Sequence, residues 1–169
     1  GFSDLGCYGS EIHTPNLDQL SEGGLRFTQF YNNAKCAPTR ASLLTGLYFQ
    51  QIGEGQMKNS VTIAELLKKT GYRTLMTGKW DADGIPDQRG FDRYYGLVDG
   101  CCNHFNPGLR RPGEKEPGRK YPGEERPWAI DGEIIQPYTP KEKNFYSTDA
   151  FTDRAIEYLN QYGKEDRPF

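Results

Sequence analysis

The sequence has few cysteines, few histidines, no long apolar run and no surplus of positive charge, and each shortage removes a class of protein. Four cysteines, Cys7, Cys36, Cys101 and Cys102, occur in 169 residues, too few and too irregularly placed for a disulfide scaffold. There is no Cys-x-x-Cys pair to suggest a zinc site. The formal net charge of -2 supplies no basic field that would hold a nucleic acid through its phosphates, so no nucleic-acid partner is expected. No stretch approaches the roughly 20 apolar residues that a membrane helix needs, so no membrane span is expected. The chain opens on Gly1 with nothing resembling a signal peptide, and it stops at Arg167-Pro168-Phe169 just as an apolar residue follows a helix ending. Both ends read as cuts in a longer chain, which leaves the missing signal peptide uninformative about localisation. No internal repeat is visible.

What is present is a globular mixture. Hydrophobic residues make up 35%, aromatics 13% and charged residues 26% of the chain, outside the composition of disordered segments. The length suits one domain, or part of one, with a real core.

Helix and strand signals alternate, which predicts an α/β fold. Thr14-Pro15-Asn16-Leu17-Asp18 reads as a helix start, with Thr14 as cap, Pro15 at the first helical position and Asp18 as a capping-box-like acid. That helix should end at Gly23-Gly24. Leu25 to Phe30 alternates apolar and polar side chains, the pattern of a half-buried strand. A second helix is expected from about Pro38 to Thr45, stopping at Gly46. A third, from Thr62 to Thr70, would carry Ile63, Leu66 and Leu67 on one face and lead into a short strand, Tyr72 to Met76. From Gly100 to Tyr146 the composition shifts. Seven of the 11 prolines fall there with a mixed charge run through Arg110, Arg111, Glu114, Lys115, Glu116, Arg119 and Lys120. This 100–146 stretch is expected to be a loop-rich surface excursion, either substrate-facing or simply solvated. Asp131-Gly132 between Ile130 and Ile134 fits a small hairpin inside it. An amphipathic helix marked by Phe151, Ala155, Ile156, Leu159 and Tyr162 should close at Gly163.

The chemistry concentrates at Cys36. This cysteine stands just before the expected helix start, with Pro38 pre-setting the first turn, so it would sit among unpaired N–H groups at the positive end of a helix dipole. A thiolate, alkoxide or bound oxyanion is favoured there. Arg40 follows four residues later, about one helical turn, so its guanidinium can lie over the same face. The residues alone leave two readings open: an oxyanion-handling nucleophile, or a structural cysteine on a capped helix. Cys7, Cys101 and Cys102 read as buried or free thiols.

The run Cys36-Ala37-Pro38-Thr39-Arg40-Ala41-Ser42-Leu43-Leu44-Thr45-Gly46 resembles the signature of the type I, formylglycine-dependent sulfatases, which are arylsulfatase-like enzymes. Other matches follow in that family's order: Gly1 to Gly9, Thr14 to Leu20, Gly71-Tyr72-Arg73-Thr74, Gly78-Lys79-Trp80 and Arg89-Gly90-Phe91-Asp92. The likeness spans nearly the whole chain and is faintest from Gly100 to Asp131.

This resemblance implies an alkaline-phosphatase-like fold, a mixed central sheet flanked by helices, with residues 1–169 forming part of one catalytic domain truncated at both ends. It implies hydrolysis of sulfate esters through a formylglycine made from Cys36 by a formylglycine-generating enzyme. A hydrated aldehyde carries two hydroxyls on one carbon: one attacks sulfur to give a covalent sulfoenzyme, and the other collapses to expel sulfate. A calcium ion beside it would acidify a hydroxyl. By the same resemblance the catalytic residues are Cys36, Arg40, Lys79 and Asp81. Arg40 would neutralise the modified residue, Lys79 would bind the substrate sulfate, and the converted Cys36 would also be a metal ligand. The remaining calcium ligands would lie outside residues 1–169, so these residues alone should be inactive. Outside the resemblance, Lys79 would read as a surface charge. The substrate would be a sulfated small molecule or a sulfated glycan, and the setting periplasmic, extracellular or lysosomal.

One departure stands out. Where the family commonly reads Gly-Lys-Trp-His, this chain reads Gly78-Lys79-Trp80-Asp81, and its only histidines are His13 and His104. Asp81 either faces the sulfate site or turns to solvent above an Asp83-Gly84 turn. His13, close after the first loop, is a substrate-binding candidate set against a plain surface or structural role, and His104 reads as structural. Two further readings stay open: a phosphonate monoester or phosphodiester hydrolase of the same superfamily, and a catalytically silent sulfatase-like binding protein.

Overall fold

The computed structural model describes residues 2–53, 55–111, 113 and 126–169. They form two compact units, Gly1–Asn32 and Asn33–Phe169. Five members of the expected charge run, Glu114, Lys115, Glu116, Arg119 and Lys120, lie outside the described residues. No helix among the described residues is long and apolar enough to cross a membrane.

The first unit is built round helix α1 (Pro15–Gly23). Pro15 opens it as expected, but Thr14 does not cap it: the Thr14 hydroxyl accepts from the Gly6 N–H at 2.8 Å and donates to Asp18 at 3.0 Å. Asp18 in turn accepts from the Cys7 N–H at 2.7 Å, so the helix's acid pins the preceding loop. Residues 25–30 form no strand. Leu25, Phe27 and Phe30 are exposed, and the four strands of the sheet among the described residues all lie elsewhere. Alternation assigns the faces of a strand, but only a neighbouring ladder makes one.

The second unit carries helices α2 (Cys36–Thr45), α3 (Ile63–Lys69) and α4 (Ser147–Tyr162). Its strands are β1 (Leu75–Thr77), β2 (Arg93–Leu97), β3 (Trp128–Ile130) and β4 (Glu133–Ile135), in that spatial order. β1 and β2 are parallel, with Met76 opposite Tyr94, while β2–β3 and β3–β4 are antiparallel. The sheet is therefore mixed.

α2 begins two residues before Pro38, so Cys36 is its first residue rather than the one preceding it. α3 starts where expected because Thr62 and Glu65 make a reciprocal box: the Glu65 N–H donates to the Thr62 hydroxyl at 3.1 Å and the Thr62 N–H to the Glu65 carboxylate at 2.7 Å. Its buried face differs from the expected one. Ala64 is buried whereas Ile63 and Leu66 are exposed.

Within 100–146, Asp131 and Gly132 make the two-residue hairpin turn with φ of 46° and 88°, the doubly positive geometry for which Asp-Gly is suited. Only half of the hairpin lies at the surface: the turn, Glu133 and Ile134 are exposed. Trp128 and Ala129 are fully buried because β3 completes the sheet. The Trp128 ring stacks on Tyr138 at 4.8 Å and on Phe151 at 5.3 Å.

β2 divides the core by its alternation. Tyr94 and Val98 join Ala41, Ile52, Met57 and Trp80 on the α2 face, while Tyr95 and Leu97 join Cys102, Trp128 and Phe145, packed by Ala150 and Phe151 of α4. The two ladders approach closely at one point, where a Cβ on Gly96 would stand 1.9 Å from the Gly78 carbonyl oxygen. Only glycine fits there, and Gly78 opens the segment that carries the candidate site.

Candidate functional site

Parallel strands leave their C-terminal ends on one edge of a sheet, which is where open α/β sheets place their ligands. At this edge the chain leaves β1 as Gly78-Lys79-Trp80-Asp81 and leaves β2 as Val98-Asp99-Gly100-Cys101. The parallel ladder continues past the strands. The N–H groups of Gly78, Trp80 and Asp81 donate to the carbonyls of Tyr95, Leu97 and Val98 at 3.0, 2.8 and 3.0 Å. Trp80 is fully buried and meets Phe91 edge to face at 6.1 Å, so the segment is held by its own indole. Lys79 and Asp81, two apart, stand on the same side. The Lys79 ammonium lies 3.1 Å from the Asp81 carboxylate.

Asp81 is 8% exposed, so it does not turn to solvent. Its φ of 51° is left-handed, a conformation aspartate tolerates better than most residues. The hydrogen bond to Val98 fixes it.

Two donors on the α2 face tie down the start of the segment. Arg40 Nη1 donates to the Lys79 carbonyl at 2.6 Å. The Tyr94 hydroxyl donates to the Gly78 carbonyl at 2.9 Å. Burial raises the Tyr94 hydroxyl well above its ordinary value, only partly offset by the charge of Arg40, so it stays protonated as a donor.

Cys36 is a free, exposed thiol at the N-terminus of α2. The preceding Lys35 is extended and no side chain caps the helix, which leaves N–H groups of the first turn and the dipole available to an anion. The lead-in is fixed by Asn33, whose side-chain amide donates to the Pro38 carbonyl at 3.2 Å and to Ser42 at 3.0 Å. Cys36 and Arg40 thus share one helix, and Arg40 joins that helix to Lys79 and, through it, to Asp81.

His13 is exposed in the first unit, in the segment before α1. His104 is structural: its Nδ1 lies 2.8 Å from the fully buried Ser147 hydroxyl that opens α4. Among the described residues no group of three or more His, Cys, Asp and Glu side chains stands together as a metal site. Calcium takes six to eight oxygen ligands, so the described residues do not by themselves fit that ion, and no chemical step is routed through it below.

Two residues at this edge escaped the sequence reading. Asp99 and Arg126 are both buried, with Asp99 Oδ2 3.6 Å from Arg126 Nε. Arg126 Nε also donates to the Cys101 carbonyl at 3.0 Å, and Asp99 accepts from the Gly100 N–H at 2.6 Å. A polar Asp-Gly directly after the apolar run Tyr94–Val98 was the available signal for the turn. Nothing in the surrounding charges distinguished Arg126. The neighbouring Cys102 is a core thiol pushed up to about 11, chiefly by burial.

A helix-borne cysteine and arginine joined to a lysine at the strand ends of an α/β sheet make a candidate site for an anion. Comparison with known proteins then fixes the family: the Sulfatase family model matches residues 1–169, and the chain belongs to that family. It is 32% identical to an uncharacterized sulfatase of Schizosaccharomyces pombe, over 97% of this chain and 33% of that protein. It is also 32% identical to an arylsulfatase of Klebsiella aerogenes, over 100% of this chain and 39% of that protein. Among solved structures, Ps i-CgsB in complex with k-i-k-neocarrahexaose superimposes with a TM-score of 0.76 at 30% identity, covering 100% of this chain and 41% of that one. The PsFucS1 sulfatase from Pseudoalteromonas sp. gives a TM-score of 0.73 at 25% identity, over 99% and 40%. The expected alkaline-phosphatase-like fold is that of these sulfatases. The chain spans 33% and 39% of the lengths of the two sequence relatives.

Proposed function

We propose that the protein carrying this chain hydrolyses sulfate esters through a formylglycine derived from Cys36. The observation that carries this reading is the bond from Arg40 Nη1 to the Lys79 carbonyl, 2.6 Å long, which joins the helix bearing Cys36 to the segment bearing the lysine. Cys36 is a free thiol that opens an uncapped helix, which leaves its Sγ unpaired for conversion. Its hydrated aldehyde would supply one hydroxyl to attack sulfur and a second to release sulfate from the covalent sulfoenzyme. Arg40 keeps positive charge on the Cys36 helix and fixes Lys79. Lys79 offers its ammonium to the sulfate oxygens as a compact point charge, and Asp81 meters that charge from 3.1 Å. His13 would belong to the substrate mouth.

Calcium is the metal expected of the family, with Cys36, once converted, as this chain's contribution to it. The substrate is a sulfated small molecule or a sulfated glycan, and the known complex of Ps i-CgsB with k-i-k-neocarrahexaose favours the glycan. Family membership is also the support for a periplasmic, extracellular or lysosomal setting. The Lys79–Asp81 ion pair favours one second reading, a sulfatase-like protein that binds sulfated ligands without turnover, because the carboxylate competes with sulfate for the lysine.

Steady-state assays of the full-length protein on an aryl sulfate, a phosphonate monoester and a phosphodiester decide among these readings. The sulfatase reading requires the aryl sulfate to have the highest kcat/KM and Cys36→Ala to abolish it. Tight binding of a sulfated ligand with no turnover would overturn it in favour of the binding protein. Preference for the phosphorus esters would overturn it in favour of the related hydrolase.

A further inference from the structure

The Asp81 carboxylate has a second close neighbour besides Lys79. A Cβ on Gly100 would stand 3.2 Å from Asp81 Oδ1 and 3.6 Å from its Cγ and Oδ2. We infer that Gly100 is a positioning residue for the proposed sulfate site: the missing Cβ lets the Asp81 carboxylate rest beside the Lys79 ammonium, which sets the charge that the lysine offers an anion. The inference depends on the sulfatase reading above.

The argument turns on which partner would yield if a methyl group were added. The turn Asp99-Gly100-Cys101 is fixed on both sides. The Asp99 carboxylate accepts from the Gly100 N–H at 2.6 Å and lies 3.6 Å from Arg126, which also holds the Cys101 carbonyl at 3.0 Å. Asp99 and Arg126 are 7% and 5% exposed, and separating a buried ion pair strands desolvated charges. Asp81 is anchored by its backbone N–H, at 3.0 Å from the Val98 carbonyl, while its carboxylate is held by the Lys79 ammonium at 3.1 Å, the far end of a flexible side chain. A contact of 3.2 Å at Gly100 is therefore relieved by rotation of the Asp81 side chain, not by retreat of the turn. The carboxylate now stands 3.1 Å from the Lys79 ammonium, and moving it off Gly100 is expected to weaken that pair. The ammonium is then less neutralised, and an anion binds it more tightly.

The experiment uses the full-length protein, with hydrolysis of an aryl sulfate and inhibition by inorganic sulfate as its two readouts. Gly100→Ala is expected to lower the inhibition constant for inorganic sulfate about threefold and to lower KM more than it changes kcat; in an Asp81→Ala background the same substitution should change neither, because the coupling partner is gone. Arg126→Lys is the second variant. It weakens the hold on the Cys101 carbonyl and should shift the inhibition constant in the wild type but not in Asp81→Ala. Equal inhibition constants for wild type and Gly100→Ala would overturn the inference, as would an effect of Gly100→Ala that persists without the Asp81 carboxylate. If the wild type neither turns over the aryl sulfate nor binds inorganic sulfate, the sulfatase reading fails first and the inference falls with it.

Discussion

Arg40 and Lys79 are separated by 39 residues of chain, yet the guanidinium of the first holds the backbone carbonyl of the second at 2.6 Å. A side chain usually assigned to charge alone is thus also a brace between helix α2 and the segment leaving β1. A charge-assisted hydrogen bond of this kind contributes about 2 kcal/mol. Arg40→Ala should therefore lower both stability, by about that amount, and aryl sulfate turnover, whereas an arginine acting only through charge would affect turnover alone. Urea unfolding beside steady-state kinetics separates the two. Arg40→Lys should recover part of the charge and little of the brace, because the lysine lacks the planar fork.

Cys36 is exposed and opens an uncapped helix, whereas Cys102 is buried and its thiol is pushed up to about 11. Coexpression with a formylglycine-generating enzyme should convert Cys36 alone, with peptide mass spectrometry showing CHO in place of CH2SH. Cys7, Cys101 and Cys102 should remain thiols. An unmodified Cys36, under conditions that convert a control sulfatase, would sink the proposed mechanism.

Since the described residues gather no metal cluster, the 169-residue chain alone should show no calcium-dependent rise in melting temperature and no sulfatase activity. Ligands that bind only the folded state raise its stability as they are added. A melt with and without calcium tests this, and a clear upward shift would reveal ligands that the present geometry does not identify.

Asp92 gives stability a pH dependence of definite sign. Burial pushes its carboxyl up, but the Lys68 ammonium at 2.7 Å and the Thr74 N–H at 3.1 Å outweigh that, and the net shift is downward. A depressed carboxyl contributes stability that is present above its unfolded value and is lost as pH falls through the folded one. Asp92→Asn should therefore cost about 1–2 kcal/mol at pH 7. The cost should shrink toward zero below pH 3–4, as the wild type protonates. Chemical denaturation of both forms across pH is the measurement, and a cost that stays constant into acid would show that the carboxylate's charge is not what stabilises.

The elements whose signals are local were legible in the sequence: the proline that opens α1, the start of α3 at Thr62, the Asp131-Gly132 turn and the extent of α4, although Ile156 and Leu159 of its expected stripe are exposed and Tyr158 is buried. Cys36 and Arg40 were legible as a pair because one helical turn separates them. What escaped depends on partners remote in sequence. Residues 25–30 have the alternation of a strand but no ladder beside them, and no local pattern supplies one. The start of α3 is also tied to Arg89, which reaches Glu65 at 3.2 Å from 24 residues away. Asp99 and Arg126 meet across the chain between them. The environment of Asp81 is likewise set by residues on two chain segments, so its departure from the family pattern could be seen in sequence while its buried placement could not.

That placement sets what an anion meets at Lys79. An ionised carboxylate about 5 Å from a bound sulfate costs roughly 3 kcal/mol at an effective dielectric near 20, on the order of a hundredfold in affinity. Asp81 is buried and stands 3.1 Å from the Lys79 ammonium, so in the free protein the two charges largely cancel. A sulfate approaching Lys79 meets a neutralised pair rather than a cation. Replacing Asp81 with histidine, the residue common in the family at this position, removes the carboxylate and leaves the ammonium free. Asp81→His in the full-length protein should raise kcat/KM on an aryl sulfate by about one to two orders of magnitude near neutral pH, most of it through KM, because Lys79 binds sulfate in ground and transition states alike. Asp81→Asn separates charge from hydrogen bonding: it should recover the KM effect without any contribution of a histidine to the chemical step. If all three forms share one kcat/KM at every pH, the Lys79–Asp81 pair lies outside the reacting site and the aspartate has no mechanistic role.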